Sequence, residues 1–416
     1  MTISFDSRWG TRRVKTLATK IGSGKTPSGG SENYLVSGVP FLRSQNIHFD
    51  GLRLDDVVYI SEATHRDMRG TRVKPGDVLL NITGASLGRV SRAPEDLGEA
   101  NVNQHVCIIR PNAEADSRYL AYTLSSRPVQ EQIFELQVGG NREGLNFDQV
   151  GNLTVPAALT EEQCRIANYL DGELGKLHDL VAKKLRLVSL MDERIDSRIL
   201  QYVSSSELVR PSTGSPVLPI RRALTKVNRP PVSSLGVITA YRDGQVTERS
   251  LRRAEGYTLS ASSDPQGQNV QVGDVVVHGL DGFAGAIGTS EAVGNCSPVY
   301  HVCVPSGDGD ARFMGRLLRL LALQGYLGNF ATSTRERAVD FRNWDLFGRI
   351  PIPVVPADEQ REIGAWITRL GPLRGVITRS VELATERRQA LITAAVTGQF
   401  DVSTASGRNV TDGVTA

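Results

Sequence analysis

An internal repeat constrains the fold of this chain more than any other feature of its sequence. Residues 156–170 read PAALTEEQCRIANYL and residues 353–367 read PVVPADEQREIGAWI, so equivalent residues lie 197 positions apart. Upstream, residues 73–90 match residues 270–287 at the same offset of 197. Chance similarity between short apolar segments would not favour one offset at two separated places. The sequence therefore predicts two copies of one unit.

Each copy is predicted to begin with a globular part of mixed α/β structure. Short apolar runs typical of strands, such as 78–82 and 275–278, alternate with segments rich in Gly, Pro and Asn. A helix is predicted near 117–136 and its counterpart near 311–330, because Leu and Tyr recur there at three- and four-residue spacing. The hydrophobic fraction of 40% and the charged fraction of 22% are ordinary for a globular protein.

A long helix is predicted to close each copy. Apolar residues recur every seven positions over 161–203 and again over 358–397. A sustained repeat of this kind packs against another helix, so the two helices are expected to pair as an antiparallel coiled coil. A helix of about 40 residues is ~60 Å long at 1.5 Å per residue. Gly371 and Pro372 should kink or interrupt the second helix, because proline removes a backbone donor.

The predicted fold class is therefore α+β, with a pseudo-twofold internal repeat. Two mixed α/β domains are predicted over 1–157 and 205–354, and the long helices that follow them over 158–204 and 355–400. A disordered tail is predicted over 401–416, where small and polar residues predominate.

Nothing in the sequence indicates a membrane span or an oxidising compartment. Residues 1–15 contain no apolar core of the kind found in secretory signals, and the most apolar stretch, 313–327, is interrupted by two arginines. The four cysteines contain no CxxC pair, which argues against a disulfide framework or a zinc ribbon. We expect a cytoplasmic protein whose cysteines are reduced.

Two short motifs suggest nucleotide or methyl-transfer chemistry but depart from the required patterns. Residues 22–26 read GSGKT, yet Thr19 stands where a phosphate-binding loop needs glycine, and Pro27 stands where its helix needs a backbone donor. The sequence NRPP at 228–231 lacks the aromatic residue of the amino-methyltransferase motif. A stand-alone enzyme that uses nucleotide is therefore only a competing interpretation of residues 22–26.

No metal site and no catalytic residue are assigned. His105 and Cys107 are matched by His301 and Cys303 at an offset of 196, and each pair could supply two metal ligands. However, alternate residues of a strand share one face, and half-buried His and Cys are common there. No Ser–His–Asp, paired-carboxylate or carboxylate–lysine cluster stands out.

Basic segments and polar loops favour DNA binding. The formal net charge is only +3, but residues 1–26 and 207–229 each contain five or six basic residues and one acidic residue. Arg hydrogen-bonds guanine, and Asn or Gln hydrogen-bonds adenine, in the major groove. Taken singly, each loop could instead be a solvated turn. The candidate DNA contacts are, in the first copy, Lys25, Thr26, Arg43, Gln45, Asn46, Asn81, Thr83, Asn103, Gln104, Asn141 and Arg142, and, in the second copy, Lys226, Arg229, Tyr241, Arg242, His278, Thr334, Arg335 and Arg337.

The sequence resembles the specificity (S) subunit of type I restriction–modification systems over nearly its whole length. The resemblance rests on 153–171 and 349–367, each of which closes a globular domain and opens a long helix, and on 386–401 at the end of the second helix. In the first domain, GKTPSGG at 24–30 and KPGDVLLNITGASLGRV at 74–90 follow the typical course of the family. The second domain departs more, since it has no GKTP-like turn.

The resemblance implies that each domain is a target-recognition domain for one half of a bipartite double-stranded DNA site. The helix pair would set the gap, since half-sites on one face of DNA lie roughly 34–36 Å apart. Two methyltransferase (modification) subunits would dock on the helices, and restriction (motor–nuclease) subunits would join for cleavage. S-adenosylmethionine, ATP and Mg²⁺ would then be bound by those partners, and this chain would be non-catalytic. Candidate docking residues are Lys183, Arg186, Glu193, Glu382 and Arg387.

Two alternatives stay open. The chain could be the specificity component of a related bifunctional (type IIG/IIB-like) restriction–methylation system, with the same DNA task and different partners. It could also be a coiled-coil scaffold with no DNA role, which salt-dependent DNA binding would exclude.

Overall fold

The chain folds into two compact units, the first formed by Met1–Ala182 with Ser380–Ala416 and the second by Lys183–Arg379. Each unit combines one globular domain with a part of both long helices. Among the residues described, no helix has the length and apolar character that a bilayer span requires. The computed structural model describes residues 9–137, 144–252, 267–330, 340–399 and 401–402, so the predicted disordered tail lies almost wholly outside the described residues.

The first unit has a domain of short strands and helices that leads into a long helix. The predicted helix near 117–136 is two helices, because one ends at Ser125 and the next begins at Arg127 with a proline in its first turn. Its elements are β1 (Thr11–Arg13), β2 (Ala18–Ser23), β3 (Val39–Leu42), β4 (Ile47–His48), β5 (Gly51–Leu52), β6 (Val58–Ile60), α1 (Glu62–Asp67), β7 (Arg72–Val73), β8 (Val78–Asn81), β9 (Val90–Arg92), β10 (Ala100–Val102), β11 (Val106–Pro111), α2 (Ser117–Ser125), α3 (Arg127–Glu135), α4 (Phe147–Asn152), β12 (Thr154–Pro156) and α5 (Thr160–Ser205), which continues into the second unit.

Two four-stranded sheets carry the core of the first domain. One is antiparallel with the order β2-β11-β8-β9, and the other, β6-β3-β10-β7, contains a parallel pair of β3 with β10. In β8, Val78 and Leu80 pack into an apolar cluster with α2 and α3, whereas Leu79 packs into a second cluster. Because side chains alternate along a strand, this sheet is apolar on both faces, which explains its unbroken apolar runs.

The second unit repeats this sheet order. Its sheet β14-β21-β18-β19 corresponds strand for strand to β2-β11-β8-β9, and one face packs against α7. The internal repeat is thus confirmed in the fold. The elements are β13 (Val217–Pro219), α6 (Ile220–Ala223), β14 (Leu224–Val227), β15 (Ile238–Ala240), β16 (Val246–Glu248), β17 (Gln268–Val270), β18 (Val275–His278), β19 (Ile287–Thr289), β20 (Gly294–Cys296), β21 (Tyr300–Pro305), α7 (Ala311–Leu323), α8 (Trp344–Phe347), β22 (Pro351–Pro353) and α9 (Ala357–Thr397), which continues into the first unit.

The strand registers correct one of the sequence matches. In the first unit Val78 pairs with Ile109, and in the second unit its repeat equivalent Val275 pairs with Cys303. Cys303 therefore occupies the position of Ile109 and not that of Cys107. The match of the two HVC segments at an offset of 196 is thus two residues out of register. A shift of two keeps every side chain on the same face of the strand, so the local pattern could not reveal it.

The two long helices run antiparallel. In the second unit, Arg198 of α5 donates a hydrogen bond to Glu359 of α9 at 2.8 Å, whereas Asp192, earlier on α5, accepts one from Arg374, later on α9. Helix α9 continues through Pro372, so the predicted interruption does not occur, because losing one backbone donor leaves the flanking turns intact. In the first unit the apolar cluster between the two helices includes Ile166, Ala167, Leu170, Leu174, Leu391, Ile392, Ala395 and Val396.

A side chain from each domain anchors the long helix beside it. In the first unit, Arg118 of α2 donates a hydrogen bond to Asp171 of α5 at 2.8 Å. In the second unit, Arg316 of α7 donates hydrogen bonds to Asp192 and Asp196 of α5 at 3.0 and 2.6 Å. Charged pairs of this geometry are shorter and stronger than neutral hydrogen bonds. Each domain is therefore fixed to its own part of α5.

Candidate DNA interface

The polar loops of the first unit meet at one end of the sheet β2-β11-β8-β9. The strand β2 ends at Ser23 where its neighbour β11 begins, and the last residue of β8 pairs with Val106, the first residue of β11. The loops 24–26, 82–83 and 103–105 leave the sheet at these points. The sheet thus makes neighbours of segments that lie far apart in the sequence.

Four side chains of these loops form a continuous hydrogen-bonded chain. The Thr26 hydroxyl donates to Oε1 of Gln104, and Nε2 of Gln104 donates to Nε2 of His105 at 3.1 Å. The other ring nitrogen of His105 contacts the Thr83 hydroxyl. Thr26 and Gln104 are exposed, and so is Lys25 beside them. Three of the predicted DNA contacts are therefore joined in one hydrogen-bonded network, and His105 is a further member of it that was not predicted as a DNA contact.

Gly24 allows two of these loops to come together. Its amide donates to the carbonyl oxygen of Asn103 at 3.1 Å, and a Cβ at this position would lie 1.7 Å from the carbonyl oxygen of Val102. Only glycine fits such a close backbone contact. Gly24 of the GSGKT segment thus allows the loops 24–26 and 103–105 to pack closely against each other.

Three of the predicted DNA contacts are buried and hydrogen-bond to other groups of the protein, namely Asn46, Asn81 and Asn103. Nδ2 of Asn46 donates to the Asp56 carboxylate at 3.0 Å, and Nδ2 of Asn81 donates to the carbonyl oxygen of Ser44 at 2.8 Å. Oδ1 of Asn103 accepts the backbone amide two residues further on at 3.1 Å. The side chains of these three predicted contacts are therefore hydrogen-bonded inside the first domain.

Arg43 and Gln45 are both tied to Asp56. Nη2 of Arg43 donates to the Asp56 carbonyl oxygen at 3.1 Å, and its guanidinium lies 5.8 Å from the centre of the Tyr34 ring. The exposed Gln45 donates to the Asp56 carboxylate. The sequence contained no signal for the role of Asp56, because a single aspartate in a loop has no periodicity and no motif.

In the second unit, Arg242 and His278 lie together around Asp281. Nη2 of Arg242 donates to Asp281 at 2.9 Å, and Nδ1 of His278 accepts the backbone amides of Leu280 and Asp281 at 3.1 and 3.0 Å. Burial lowers the pKa of His278 below its ordinary value of 6.5, which keeps the ring neutral at pH 7. His278 ends β18 at the position where Asn81 ends β8, so polar side chains lie at the same end of both sheets.

The other predicted contacts of the second unit differ in their surroundings. Arg229 makes two hydrogen bonds to the buried Asp274, and Arg252 lies 4.1 Å from the ring centre of Tyr241. Lys226 is exposed on β14. The predicted contacts outside the described residues are Asn141, Arg142, Thr334, Arg335 and Arg337.

The His and Cys residues that the sequence offered as candidate metal ligands lie in the apolar core or in hydrogen-bonded loops. Cys107 is fully buried in the core, which raises the pKa of its thiol to about 12. Within the described part of the chain, no three His, Cys, Asp or Glu side chains cluster as metal ligands would. From the sequence, His105 was considered only as a metal ligand. Its position next to Gln104 in a polar turn could have indicated that it belongs to the hydrogen-bonded network at the surface.

The predicted docking residues on the long helices are exposed. In the second unit, Arg186 donates to Glu193 at 2.8 Å on α5, and Lys183 lies one turn earlier. In the first unit, Glu382 and Arg387 are exposed on α9. An exposed ion pair stabilises a fold by only ~0.2–1 kcal/mol, so the free energy of unfolding depends little on these charges.

A groove in the second unit lies beside Trp366, between α5 and α9. The guanidinium groups of Arg194 and Arg198 lie 5.4 and 5.3 Å from the centre of the Trp366 ring. Tryptophan and arginine are among the residues most enriched in the binding hot spots of protein interfaces. An open cavity of about 280 Å³ is lined by Met191, Arg194, Ile195, Trp366, Arg369 and Leu370.

Comparisons with known proteins define the class of this fold. Residues 6–186 match the family model described as the type I restriction modification DNA specificity domain. A chain from a structure concerned with complex assembly and conformational transition of the type I R-M system has a TM-score of 0.56 and 15% identity, covering 96% of this chain and 100% of its own. No curated protein sequence matches this chain.

Two further solved structures are similar with lower scores. The HsdS subunit from Thermoanaerobacter tengcongensis has a TM-score of 0.44 and 14% identity, covering 95% of this chain and 98% of its own. The type I restriction-modification S subunit from M. genitalium has a TM-score of 0.49 and 16% identity, covering 93% of this chain and 96% of its own.

The family model covers residues 6–186, and the first structural match shows that the fold of the chain is similar to that of a chain from a type I R-M system. Residues 6–186 thus match the DNA specificity domain of type I restriction–modification systems. The resemblance read from the sequence is thereby confirmed.

Proposed function

We propose that this chain is the DNA sequence-specificity subunit of a type I restriction–modification complex and reads a bipartite double-stranded target. The observation that most supports this proposal is the placement of polar side chains at the same end of two equivalent sheets. That end carries Thr26 and Gln104 in the first unit, and Arg242 and His278 in the second. Polar and basic side chains on loops hydrogen-bond base edges and phosphates. Each unit would then read one half of the target.

The long helices would set the number of base pairs between the two half-sites. Helix α5 has 46 residues, which is ~70 Å at 1.5 Å per residue. This length exceeds the roughly 34–36 Å between half-sites one helical turn apart. A continuous helix holds a fixed length, whereas a flexible linker would accept many spacings.

We also propose that this chain supplies recognition, while catalysis belongs to partner subunits. Two modification subunits would dock on the long helices, and restriction subunits would join the complex. S-adenosylmethionine, ATP and Mg²⁺ would be bound by those partners. Trp366 and Tyr169 occupy equivalent repeat positions, which would provide one docking position for each modification subunit. The exposed charged residues of the long helices that we propose as further docking contacts are Lys183, Arg186, Glu193, Glu382 and Arg387.

A domain exchange tests the proposed function. The chain is co-expressed with its modification subunit, and methylated bases are mapped in genomic DNA. Replacing residues 205–354 by the corresponding domain of another specificity subunit should change one half of the methylated site and leave the other half unchanged. Replacing residues 403–416 by an unrelated sequence is the control and should change neither half. Alteration of both halves by the domain exchange, or methylation without sequence preference, would contradict the proposal.

A further inference from the structure

We propose that Gln104 reads an adenine in the first half-site, and that His105 is the positioning residue that orients the Gln104 amide. This inference rests on the proposed function, because it requires the first unit to contact DNA. Gln104 is exposed in the turn between β10 and β11, at the end of the sheet where the polar loops meet.

The hydrogen bonds already made by Gln104 leave it the pattern that adenine requires. A glutamine amide has two acceptor lone pairs on Oε1 and two donor hydrogens on Nε2. Thr26 occupies one acceptor of Gln104, and His105 occupies one donor. One acceptor and one donor are left on an exposed side chain. In the major groove, this pair complements the N6 amino group and the N7 atom of adenine.

His105 and Thr26 together restrain the Gln104 amide by hydrogen bonds. Because Gln104 donates to Nε2 of His105, the ring proton is on Nδ1, which donates to the Thr83 hydroxyl. If every bond of the chain ran in the opposite direction, Gln104 would still keep one free donor and one free acceptor. Without the ring, the amide would have to be ordered when DNA binds, and ordering a side chain weakens binding.

The turn that carries Gln104 is held at three points of the backbone. The amide of Asn103 donates to the carbonyl oxygen of Leu42 at 3.0 Å, and the amide of Ile82 donates to the carbonyl oxygen of His105 at 2.9 Å. The amide of Gly24 donates to the carbonyl oxygen of Asn103 at 3.1 Å. A reading side chain on a fixed backbone discriminates bases better than one on a loose loop.

Gln45 is the other exposed glutamine among the predicted contacts of this unit, and it fits the role less well. Its amide donates to the Asp56 carboxylate. A carboxylate beside the reading group repels the DNA phosphates. The Thr26 that bonds Gln104 is preceded in the sequence by Lys25, which is exposed and carries the positive charge that phosphates attract.

Gln104→Glu is the sharpest test, because a carboxylate is an acceptor only and pairs with the N4 amino group of cytosine. The carboxylate can still accept from Thr26, and from His105 once the ring changes tautomer. Methylation by the complete complex is measured on a library of first half-site variants. The expected result is a shift of preference from A·T to C·G by about 10-fold at one base pair, with all other positions unchanged.

His105 is tested at the same base pair. His105→Ala should relax the preference for adenine there, and His105→Gln should restore it, because a glutamine oxygen can accept from Gln104. A purely structural role would instead lower methylation at all positions alike. Gln399→Glu makes the same charge change on an exposed glutamine beyond the end of α9 and should leave every preference unchanged.

The possible failures are distinguishable. If the Gln104→Glu complex keeps its preference for A·T, or if the His105 variants act at a different base pair, the inference is wrong while the proposed function stands. If Gln104→Glu abolishes methylation, Gln104→Ala decides: it should methylate without preference at that base pair, and a retained preference for adenine overturns the inference. Absence of any sequence preference in the unaltered complex would instead contradict the proposed function.

Discussion

Gln163 and Gln360 stand 197 residues apart and make the same two hydrogen bonds in their separate units. Oε1 of Gln163 accepts the backbone amide of Asp116 at 2.9 Å, and Nε2 donates to the carbonyl oxygen five residues earlier at 2.9 Å. Oε1 of Gln360 accepts the amide of Asp310 at 3.1 Å, and Nε2 donates to the carbonyl oxygen five residues earlier at 2.8 Å. Each glutamine thus joins the start of a domain helix to the segment that leads into a long helix.

These two glutamines should differ in their effect on stability. Gln163 is 2% exposed, so Gln163→Ala leaves buried polar groups unpaired and should lower the free energy of unfolding of the first unit by ~2–4 kcal/mol. Gln360 is half-buried, and water can replace its bonds, so Gln360→Ala should cost less. Urea titration followed by hydrogen exchange of each unit measures both. Gln201→Ala, an exposed change on α5, should stay within ~0.5 kcal/mol, and equal losses at 163 and 360 would contradict the explanation.

Arg110 should be more important for stability than its partial exposure suggests. The buried Asp77 accepts hydrogen bonds from Nε and Nη2 of Arg110 at 2.7 and 2.8 Å. Arg110→Ala leaves a buried carboxylate without its cation, so the unfolding free energy of the first unit should fall by ~3–5 kcal/mol. Asp77→Asn removes the unpaired charge, so the double variant should recover part of this loss. Thermal denaturation of the two single variants and the double variant measures this recovery as a double-mutant cycle. A loss below 1 kcal/mol for Arg110→Ala would show that solvent replaces the arginine.

The second unit should lose stability in mild acid. Burial lowers the pKa of His301 below 6.5, although its Nε2 hydrogen-bonds the Phe341 carbonyl oxygen at 2.6 Å. The unfolded chain therefore binds a proton that the folded chain does not, so the stabilisation is complete above pH ~6.5 and is lost as the pH falls toward the folded-state pKa. His301→Gln keeps a donor to Phe341 and removes the titration. The unfolding free energy measured from pH 7.5 to 5 should therefore fall less steeply in this variant, and an unchanged slope would contradict the assignment.

Two neighbouring glycines should respond differently to the same substitution. A Cβ at Gly24 would overlap the Val102 carbonyl oxygen, whereas a Cβ at Gly22 would have Lys20 Cε as its nearest neighbour at 3.9 Å. Gly24→Ala should therefore displace the loop that carries Thr26 and lower preference for the first half-site by about 10-fold or more, which corresponds to ~1.4 kcal/mol. Gly22→Ala is the matched control. Methylation of half-site variants measures both, and equal effects would remove the steric explanation.

Trp366 should control how many modification subunits bind. Trp366→Ala removes the aromatic centre of the groove beside α9 and should cost ~2 kcal/mol or more of binding energy, as expected of a hot spot. Native mass spectrometry of the co-expressed complex should then show one modification subunit in place of two. Tyr169→Ala should remove the other one, and the double variant should retain neither. Phe330→Ala changes an aromatic residue that is 43% exposed in the second domain and should leave the stoichiometry unchanged.

The sequence by itself determined the duplicated organisation and the long helices. Helix α5 begins one residue before and ends two residues after the predicted 161–203, and α9 begins one residue before the predicted 358–397. These features were accessible because a seven-residue repeat and a constant offset are patterns within one segment or between two aligned segments. The polar loops could be identified in the same way, as candidates for DNA contact.

Only the tertiary structure decided which of those candidates meet and which face inward. Asn46 and Gln104 are both amide residues in polar loops, yet the first is fully buried and the second is exposed. Asp77 and Asp274 are equivalent buried carboxylates, yet Asp77 pairs with Arg110 on β11, whereas Asp274 pairs with an arginine in the segment that follows β14. Strand register and loop contact join residues that are tens of positions apart, so they depend on long-range packing and leave no local pattern to read.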